Sequence, residues 1–329
     1  YTLLYPLSFL SPNHAYVLWC LLQAGLGLSA LYLLSGLGAL SSKDRWLFSL
    51  GVLSSFPAYA CFWHGNTTFF LLGFLSAYIC CFVRGKDLLA GLFLALSTFK
   101  PQYLFMMMVP AVAMRRWRVL AGFALMELVI LALAIPIIGI DNVIGYPFIV
   151  VNAESDAGFI GVNAHHMISI RGLLAQFVST SVSLKVTGIV MFLSLVPLFF
   201  VWTKLGGKRE DNARAGTKSA QVLVIDPWLW ASTICLAVFL SPHCHAFDFL
   251  LLAMAAALTL PSLSLLSLPK QNPLKTWTML FILFPPLSWL LNFGLGYQKA
   301  PVLAFFPCLA FFVVLALMGL KSSRLNRIS

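Results

Sequence analysis

Residues 119–139 read VLAGFALMELVILALAIPIIG, an apolar run in which Glu127 is the one charged residue. A helix of this length crosses a hydrocarbon layer about 30 Å thick. Comparable runs occur at residues 15–40, 46–63, 67–83, 181–203, 228–241, 247–268, 277–296 and 301–320. We therefore expect an all-α fold, a polytopic transmembrane helical bundle with about nine to eleven membrane helices.

A further apolar stretch, between Asp87 and Met114, is interrupted by Lys100-Pro101. Each half is too short to cross comfortably, because a spanning helix needs about 20 residues. The pattern predicts two short helices that form a hairpin within the membrane. Backbone broken at that depth must be buried in protein or line a wet cavity.

The composition of the whole chain also indicates a membrane protein. Hydrophobic residues make up 60% of the 329 residues and charged residues 9%, whereas soluble domains are about a quarter charged. The net charge of +11 is spread over short groups between apolar runs, as in loops near anionic lipid. This distribution argues against a nucleic-acid partner. The seven cysteines show neither a pairing pattern nor metal-ligand spacing.

The lysines and arginines define the sidedness of the chain, since cytoplasmic loops carry the excess of both. If the spans alternate across the membrane, all but four of the 21 fall on one side. The four exceptions are Lys100, Arg171, Lys185 and Lys299. Residues 1–329 then form one domain, with a flexible cytoplasmic loop at 204–226 and a large outer loop at 140–180. All six histidines lie at outer ends or in outer loops, which suggests a site there.

The outer segment at residues 241–248 reads SPHCHAFD. His243 and His245 could ligate a metal, bind a phosphate as imidazolium, or transfer protons. A metal would need more ligands, which only His165-His166 could offer, so we favour phosphate binding or acid–base chemistry and assign no metal site. Asp248 also suits a structural role in the first turn of the next helix.

Three other outer features carry polar residues. A lysine at the membrane depth of Lys100 is expensive unless it snorkels, pairs or meets an anionic ligand. Arg171 is expected near the lipid headgroups, on an interfacial helix with Leu173 and Phe177, where its guanidinium suits a phosphate. The segment WHGNT at 63–67 is either a tight turn with Asn66 as a helix cap or part of the site.

No GxxxxGK[ST], GxGxxG or HExxH motif is present, so nucleotide-driven chemistry on the cytoplasmic side has no support. The order of the outer features instead resembles glycosyltransferase family 87. Those polytopic enzymes of the GT-C fold take a sugar from a polyprenyl-phosphate carrier on the extracytoplasmic face. The similar elements, which extend to about Leu252, are Tyr5-Pro6, His64-Gly-Asn66, Ala90-Gly91, Lys100-Pro-Gln102, Arg115-Arg-Trp-Arg118, Asn163, Ser169-Ile-Arg-Gly172 and Ser241 to Asp248.

The resemblance implies an inverting, α-mannosyltransferase-like hexosyltransferase of the plasma (inner) membrane that uses no cofactor. Its partners would be a lipid-linked sugar donor, a lipid or glycan acceptor and membrane lipids. The candidates for binding the donor phosphate or another part of the substrate are Lys100, Gln102, Arg171, His243, His245 and Asp248. The supporting candidates are His64, Asn66, Asn163 and His166.

Two features depart from the family pattern. Phe247 stands where the family usually has tyrosine, so no hydroxyl is available there. The resemblance places the general base in the first outer loop, before the Tyr-Pro element. The chain opens Tyr-Thr-Leu-Leu with neither Met nor a basic region. We therefore expect the first span and the base to lie upstream of Tyr1, and no catalytic residue is assigned.

A secondary transporter or a flippase for lipid-linked sugars is the alternative, with Lys100-Pro101 as the break in a discontinuous helix. Transporters commonly have two related halves, whereas neither Lys-Pro-Gln nor Ser-Pro-His occurs a second time. A non-catalytic membrane scaffold would leave Lys100 and the outer histidines without a purpose.

Overall fold

The computed structural model describes residues 7–37, 40–155, 163–214 and 226–264. Within these ranges the regular secondary structure is helical, without a strand, which confirms the predicted all-α membrane bundle. The α-helices are α1 (Pro12–Leu37), α2 (Ser42–Leu53), α3 (Phe56–Trp63), α4 (Thr68–Val83), α5 (Asp87–Ala95), α6 (Leu104–Ala113), α7 (Trp117–Ile138), α8 (Ile140–Ser155), α9 (Ile170–Ala175), α10 (Thr180–Arg214), α11 (Pro227–Phe239) and α12 (Leu252–Ser264). Short 3₁₀ turns lie at Pro101–Tyr103, Ala164–His166 and Ala246–Leu251.

Three of these helices are long and apolar enough to cross a membrane alone, namely Pro12–Leu37, Trp117–Ile138 and Thr180–Lys204. Shorter apolar helices occur at Thr68–Val83, Pro101–Ala113, Pro227–Phe239 and Ala246–Thr259. The spans predicted at 277–296 and 301–320 lie outside the described residues.

The span predicted at 46–63 is two helices, α2 and α3, bent by 53°. The break falls at Ser54 and Ser55, just before Pro57 near the start of α3. Proline has no N–H to continue the helical ladder, and its ring clashes with the preceding turn. The apolar character of the stretch is continuous, but the helix is not.

The hairpin predicted around Lys100-Pro101 consists of α5 and α6, joined through the 3₁₀ turn at Pro101–Tyr103. The carbonyl of Met107 in α6 accepts a 2.9 Å hydrogen bond from the buried hydroxyl of Tyr78 in α4. A neighbouring helix thus helps to enclose the hairpin, as a helix broken within a membrane requires.

Helices α5 and α7 meet backbone to backbone. A Cβ atom on Gly91 would lie 2.0 Å from the carbonyl oxygen of Val119, and one on Gly122 would lie 2.2 Å from that of Leu88. Small residues allow membrane helices to approach this closely.

The core centres on α4, α11 and the start of α12. Trp230 of α11 packs edge-on against Tyr78 and Phe82 of α4, with ring centroids 5.7 and 5.3 Å away. Helix α10 joins this core through Trp202, whose indole N–H donates to Thr233 at 2.9 Å.

Helix α4 separates two polar ends of the bundle. Thr68 begins the helix, and Arg84 follows its last residue. At the Arg84 end, Arg116 donates to the carbonyl of Phe82 at 2.5 Å and pairs with Asp87 at 3.1 Å. Sixteen helical residues rise about 24 Å, so the basic end lies roughly a membrane thickness from Thr68.

The two loops predicted at 140–180 and 204–226 contain helical structure. The first includes α8, the 3₁₀ turn Ala164–His166 and α9, while residues 156–162 lie outside the described residues. In the second, α10 continues to Arg214, so the polar segment begins as a helix and not as an irregular connector.

Candidate functional site

Lys100 is the centre of a polar cluster at the Thr68 end of α4. Its Nζ lies 2.5 Å from Oδ1 of Asp248, 2.8 Å from the Thr68 hydroxyl and 3.1 Å from Oδ1 of Asn66. An ammonium group has three N–H donors, so these three acceptors saturate it. Asp248 is fully buried and the Lys100 side chain is 12% exposed. The lysine that sequence analysis found costly at this depth is therefore paired within the protein.

Local chain geometry explains how this cluster forms. Gly65 has a φ of +59°, in the left-handed region that glycine adopts without strain. The turn that follows brings Asn66 Oδ1 within 3.1 Å of the backbone N–H of Thr68, which it accepts at the start of α4. Asn66 therefore accepts the first backbone N–H of α4, as expected of a turn that caps the helix, and is also a partner of Lys100. A role of this turn in substrate binding stays a prediction.

Asp248 accepts hydrogen bonds both from the start of the next helical segment and from Lys100. Its Oδ2 accepts the backbone N–H of His245 at 3.1 Å, while its Oδ1 faces Lys100 and accepts the Thr68 hydroxyl at 3.0 Å. The structural role anticipated for this carboxylate is thus present. Both oxygens are used within the protein.

The turn between α11 and the 3₁₀ segment Ala246–Leu251 is tied to the hairpin through the carbonyl of His243. That oxygen accepts from Ser241 at 2.7 Å, from the Gln102 amide at 3.3 Å and from the Tyr103 hydroxyl at 3.4 Å. Gln102 therefore supports the backbone of the turn.

Arg171 is fully buried, contrary to the expected position near the lipid headgroups. Its guanidinium forms hydrogen bonds to the side chain and the carbonyl of Glu154 in α8, and to the carbonyl of Pro242 at 2.6 Å. A buried arginine needs a counter-charge, and Glu154 supplies it. A Cβ on the neighbouring Gly172 would lie 1.8 Å from the carbonyl of Met167, so only glycine fits where α9 begins.

Glu154 also contacts the histidine turn. Its Oε1 lies 2.6 Å from Nδ1 of His243, whose side chain is 28% exposed. Arg171, Glu154 and His243 thus connect α9, α8 and the turn after α11. The polar residues of three separate elements converge at one end of an apolar bundle.

Comparison with protein-family models identifies the kind of protein that has this arrangement. The model of glycosyltransferase family 87 matches residues 1–233. The chain belongs to glycosyltransferase family 87. A search of curated proteins and a search of solved structures gave no match.

The match gives this family 87 glycosyltransferase its class of activity, and it covers Asn66, Lys100, Glu154 and Arg171. The turn at 241–248 lies beyond the matched residues. Its place in the site rests on its contacts with Lys100, Gln102 and Glu154.

Burial and charge set the protonation of several groups in this part of the glycosyltransferase. Burial raises the pKa of Glu154, but the hydrogen bond and charge of His243, with those of Arg171, outweigh it and hold that pKa below its ordinary value. Burial lowers the pKa of His245 to about 4, aided by the charge of His243. Burial and the charge of His165 lower the pKa of His166. At neutral pH Glu154 is therefore ionised and His245 is neutral.

The remaining sequence candidates lie at the margin of this cluster. The ring of His64 is 6.1 Å from that of Phe247, which in turn stands 5.2 Å from Lys100 Nζ. Asn163 Oδ1 accepts the backbone N–H of His165, as a cap of the 3₁₀ turn that contains His166. Across the described ranges, no three histidine, cysteine or acidic side chains form a group that could hold a metal ion.

Two residues of the site were absent from the sequence candidates, namely Thr68 and Glu154. Thr68 directly follows the WHGNT segment, so its position was the available signal. Glu154 is one of few carboxylates assigned to the outer side, which was a reason to seek its cationic partner.

Proposed function

We propose that this family 87 glycosyltransferase transfers a hexose, with mannose as the first candidate, from a polyprenyl-phosphate donor to a lipid or glycan acceptor. The reaction takes place on the extracytoplasmic face of the plasma (inner) membrane and inverts the donor linkage. Family membership gives the class of reaction. The convergence of the Lys100 and Arg171 clusters on the turn at 241–248 is the observation that carries the proposed location.

The distribution of basic residues supports the proposed side of the membrane. Lys86 and Arg116 lie at the far end of α4 from Thr68 and Lys100. Because cytoplasmic loops hold the excess of basic residues, the end that contains Thr68 is the extracytoplasmic one.

The charges of the cluster limit which groups can meet a donor phosphate. Lys100 and Arg171 are each neutralised by a buried or half-buried carboxylate, and the low pKa of His245 leaves it uncharged at neutral pH. His243 is more exposed than either cation. We therefore assign the first contact with the phosphate to His243, with Lys100 and Arg171 holding the surrounding turns.

In the proposed reaction, an acceptor hydroxyl attacks the anomeric carbon and displaces polyprenyl phosphate. The bond between the anomeric carbon and the phosphate oxygen breaks, and negative charge grows on that oxygen. A cationic His243 would stabilise this charge. The proton of the acceptor hydroxyl goes to a general base, which is not assigned to Asp248 or Glu154 because both already face cations.

The test is a transfer assay in membranes that contain the protein, with radiolabelled mannosyl or glucosyl polyprenyl phosphate. We expect label to appear in a covalent lipid or glycan product with the opposite anomeric configuration. His243→Ala should reduce turnover by roughly a hundred- to a thousand-fold. His14→Ala is the matched control, because His14 is an exposed histidine near the start of α1 that bonds to Ser11 and should retain parental turnover.

Absence of a covalent product from every hexosyl donor tested, or vectorial uptake of the sugar without a covalent product, contradicts the proposal. The second outcome favours a transporter or a flippase.

A further inference from the structure

We propose that Glu154 is a positioning residue for sugar transfer, acting through His243. Its carboxylate holds the Nδ1 side of the imidazole, so that Nε2 is the ring atom presented to the donor phosphate. The inference rests on the proposed function and adds to it a residue that makes no contact with substrate.

The carboxylate of Glu154 is held from two sides. One oxygen lies 2.6 Å from Nδ1 of His243, and the other bonds to the guanidinium of Arg171. Since an ionised carboxylate can only accept, the Nδ1–H of His243 is the donor. Arg171 also bonds to Pro242, the residue before His243. One buried arginine therefore fixes both the carboxylate and the backbone beside the imidazole.

This arrangement leaves one ring nitrogen of His243 available for contact with a substrate. Nδ1 is engaged, and Nε2 has no hydrogen-bond partner among the described residues. The side chain is 28% exposed, whereas Arg171 is completely enclosed. In the group formed by Arg171, Glu154 and His243, the histidine is therefore the residue nearest the surface, and the arginine is the residue in the interior.

Charged and polar groups from several elements surround His243. Glu154 faces it from α8, and Arg171 from α9 stands behind that carboxylate. His245 is its neighbour on the same turn, with ring centroids 4.8 Å apart. The hairpin contributes the hydroxyl of Tyr103, which contacts the carbonyl of His243 and not its ring. On the far side of His245 lie Lys100 and Asp248, whose opposite charges form an ion pair.

In its protonated form, His243 can donate from Nε2 to a phosphate oxygen in a charge-assisted hydrogen bond while its Nδ1–H donates to Glu154. Loss of the partner that orients a metal-ligating histidine typically costs about ten- to a hundred-fold in affinity or activity, and we expect an effect of that size for the orienting partner of His243. Glu154 is therefore expected to influence turnover without touching the donor.

A double-mutant cycle tests whether Glu154 acts through His243. Turnover is measured for the parent, Glu154→Gln, His243→Ala and the double variant, with lipid-linked hexose as donor. Glu154→Gln should lose roughly ten- to a hundred-fold in kcat, His243→Ala should lose at least as much, and the double variant should be no slower than His243→Ala. Asp141→Asn, which removes an exposed carboxylate from the same helix α8, should keep the parental rate.

The division of the loss between kcat and KM distinguishes positioning from a purely structural role. In Glu154→Gln the loss should appear in kcat and not in the KM for the donor, since the negative charge that His243 meets grows only as the sugar–phosphate bond breaks. A purely structural defect would lower the amount of folded protein and leave the kcat of the folded molecules unchanged. Thermal unfolding of each variant in detergent shows whether loss of folded protein explains the rates.

Multiplicative losses in the double variant, or a Glu154→Gln variant whose folded molecules keep the parental kcat, overturn the inference. If the parent transfers no hexose from any donor tested, the proposed function itself is contradicted. Transfer by the parent combined with either of the first two results contradicts only the role of Glu154.

Discussion

Lys100 and Asp248 form an ion pair with 2.5 Å between Nζ and Oδ1, across 148 positions of sequence. The pair joins the tip of the hairpin to the turn that follows α11. The ammonium uses its other two donors on Asn66 and Thr68. This one contact set therefore links three segments at the end of the bundle proposed to face the outside: the tip of the hairpin, the turn at the start of α4 and the turn that follows α11.

Breaking the pair on one side should destabilise the protein. Lys100→Met leaves Asp248 as an uncompensated buried carboxylate, and Asp248→Asn leaves the ammonium without its counter-charge. Each single loss costs about 3–5 kcal/mol. The double variant removes both charges and should unfold at a higher temperature than either single variant. Thermal unfolding in detergent, followed by tryptophan fluorescence, provides the measurement.

Lys185→Met is the control for these variants, because Lys185 is exposed on α10 and should leave the unfolding temperature unchanged. A double variant that loses as much stability as the two single variants together would show that Lys100 and Asp248 do not depend on each other.

Arg171→Met should lower the yield and the unfolding temperature of the protein in addition to any effect on turnover. The arginine is fully buried and its charge is matched by Glu154, so its loss leaves a carboxylate whose one remaining side-chain partner among the described residues is the imidazole of His243. The expected cost is about 3 kcal/mol. Adding Glu154→Gln should restore part of it. An arginine among lipid headgroups would instead be replaceable with parental yield and stability.

Gly91→Ala should destabilise the contact between α5 and α7. The new methyl group would meet the backbone of Val119, so the helices must separate, at a cost of about 1–3 kcal/mol. Gly188→Ala is the matched control, since nothing lies within 4 Å of its Cβ position in α10. That variant should be neutral or slightly stabilising. Equal unfolding temperatures for the two variants would contradict the close approach of the helices.

His245 should make the protein less stable in mild acid. Its folded pKa is about 4 against an ordinary 6.5, so between these values the unfolded imidazole binds a proton that the folded one does not. Stability then falls as pH decreases through that window. Between pH 7.5 and 5.5 the loss from this residue is about 1 kcal/mol after allowing for its partial exposure.

The measurement is the unfolding temperature at pH 7.5 and at pH 5.5 for the parent and for His245→Gln. The substitution should reduce the difference between the two temperatures. An unchanged difference would mean that the imidazole is not held neutral in the folded protein.

Local chemistry in the sequence was sufficient to predict the hairpin. Proline interrupts the helical ladder at Pro101, and the charge of Lys100 is costly at membrane depth, so a break was expected where the structure has one. The break between α2 and α3 has a similar local cause in Pro57. The break between α2 and α3 was missed because the hydropathy averaged over residues 46–63 is that of one continuous apolar run.

The partners of the buried charges could not be predicted in the same way. No rule of spacing connects Lys100 with Asp248, or Arg171 with Glu154, because each contact depends on how distant elements pack. Arg171 was therefore expected among the headgroups, although it lies in the interior. Sequence patterns located the cations; only the folded structure supplied the acids that neutralise them.

The most direct measurement of the central claim, that this polar cluster faces the extracytoplasmic side, is sided cysteine labelling. Single cysteines replace His165 and Arg84, both exposed and at opposite ends of the bundle, in a variant without native cysteines. A membrane-impermeant maleimide is then applied to sealed right-side-out vesicles. We predict that His165→Cys labels at once and Arg84→Cys only after permeabilisation. The reverse pattern would place the cluster in the cytosol and contradict the proposed extracytoplasmic transfer.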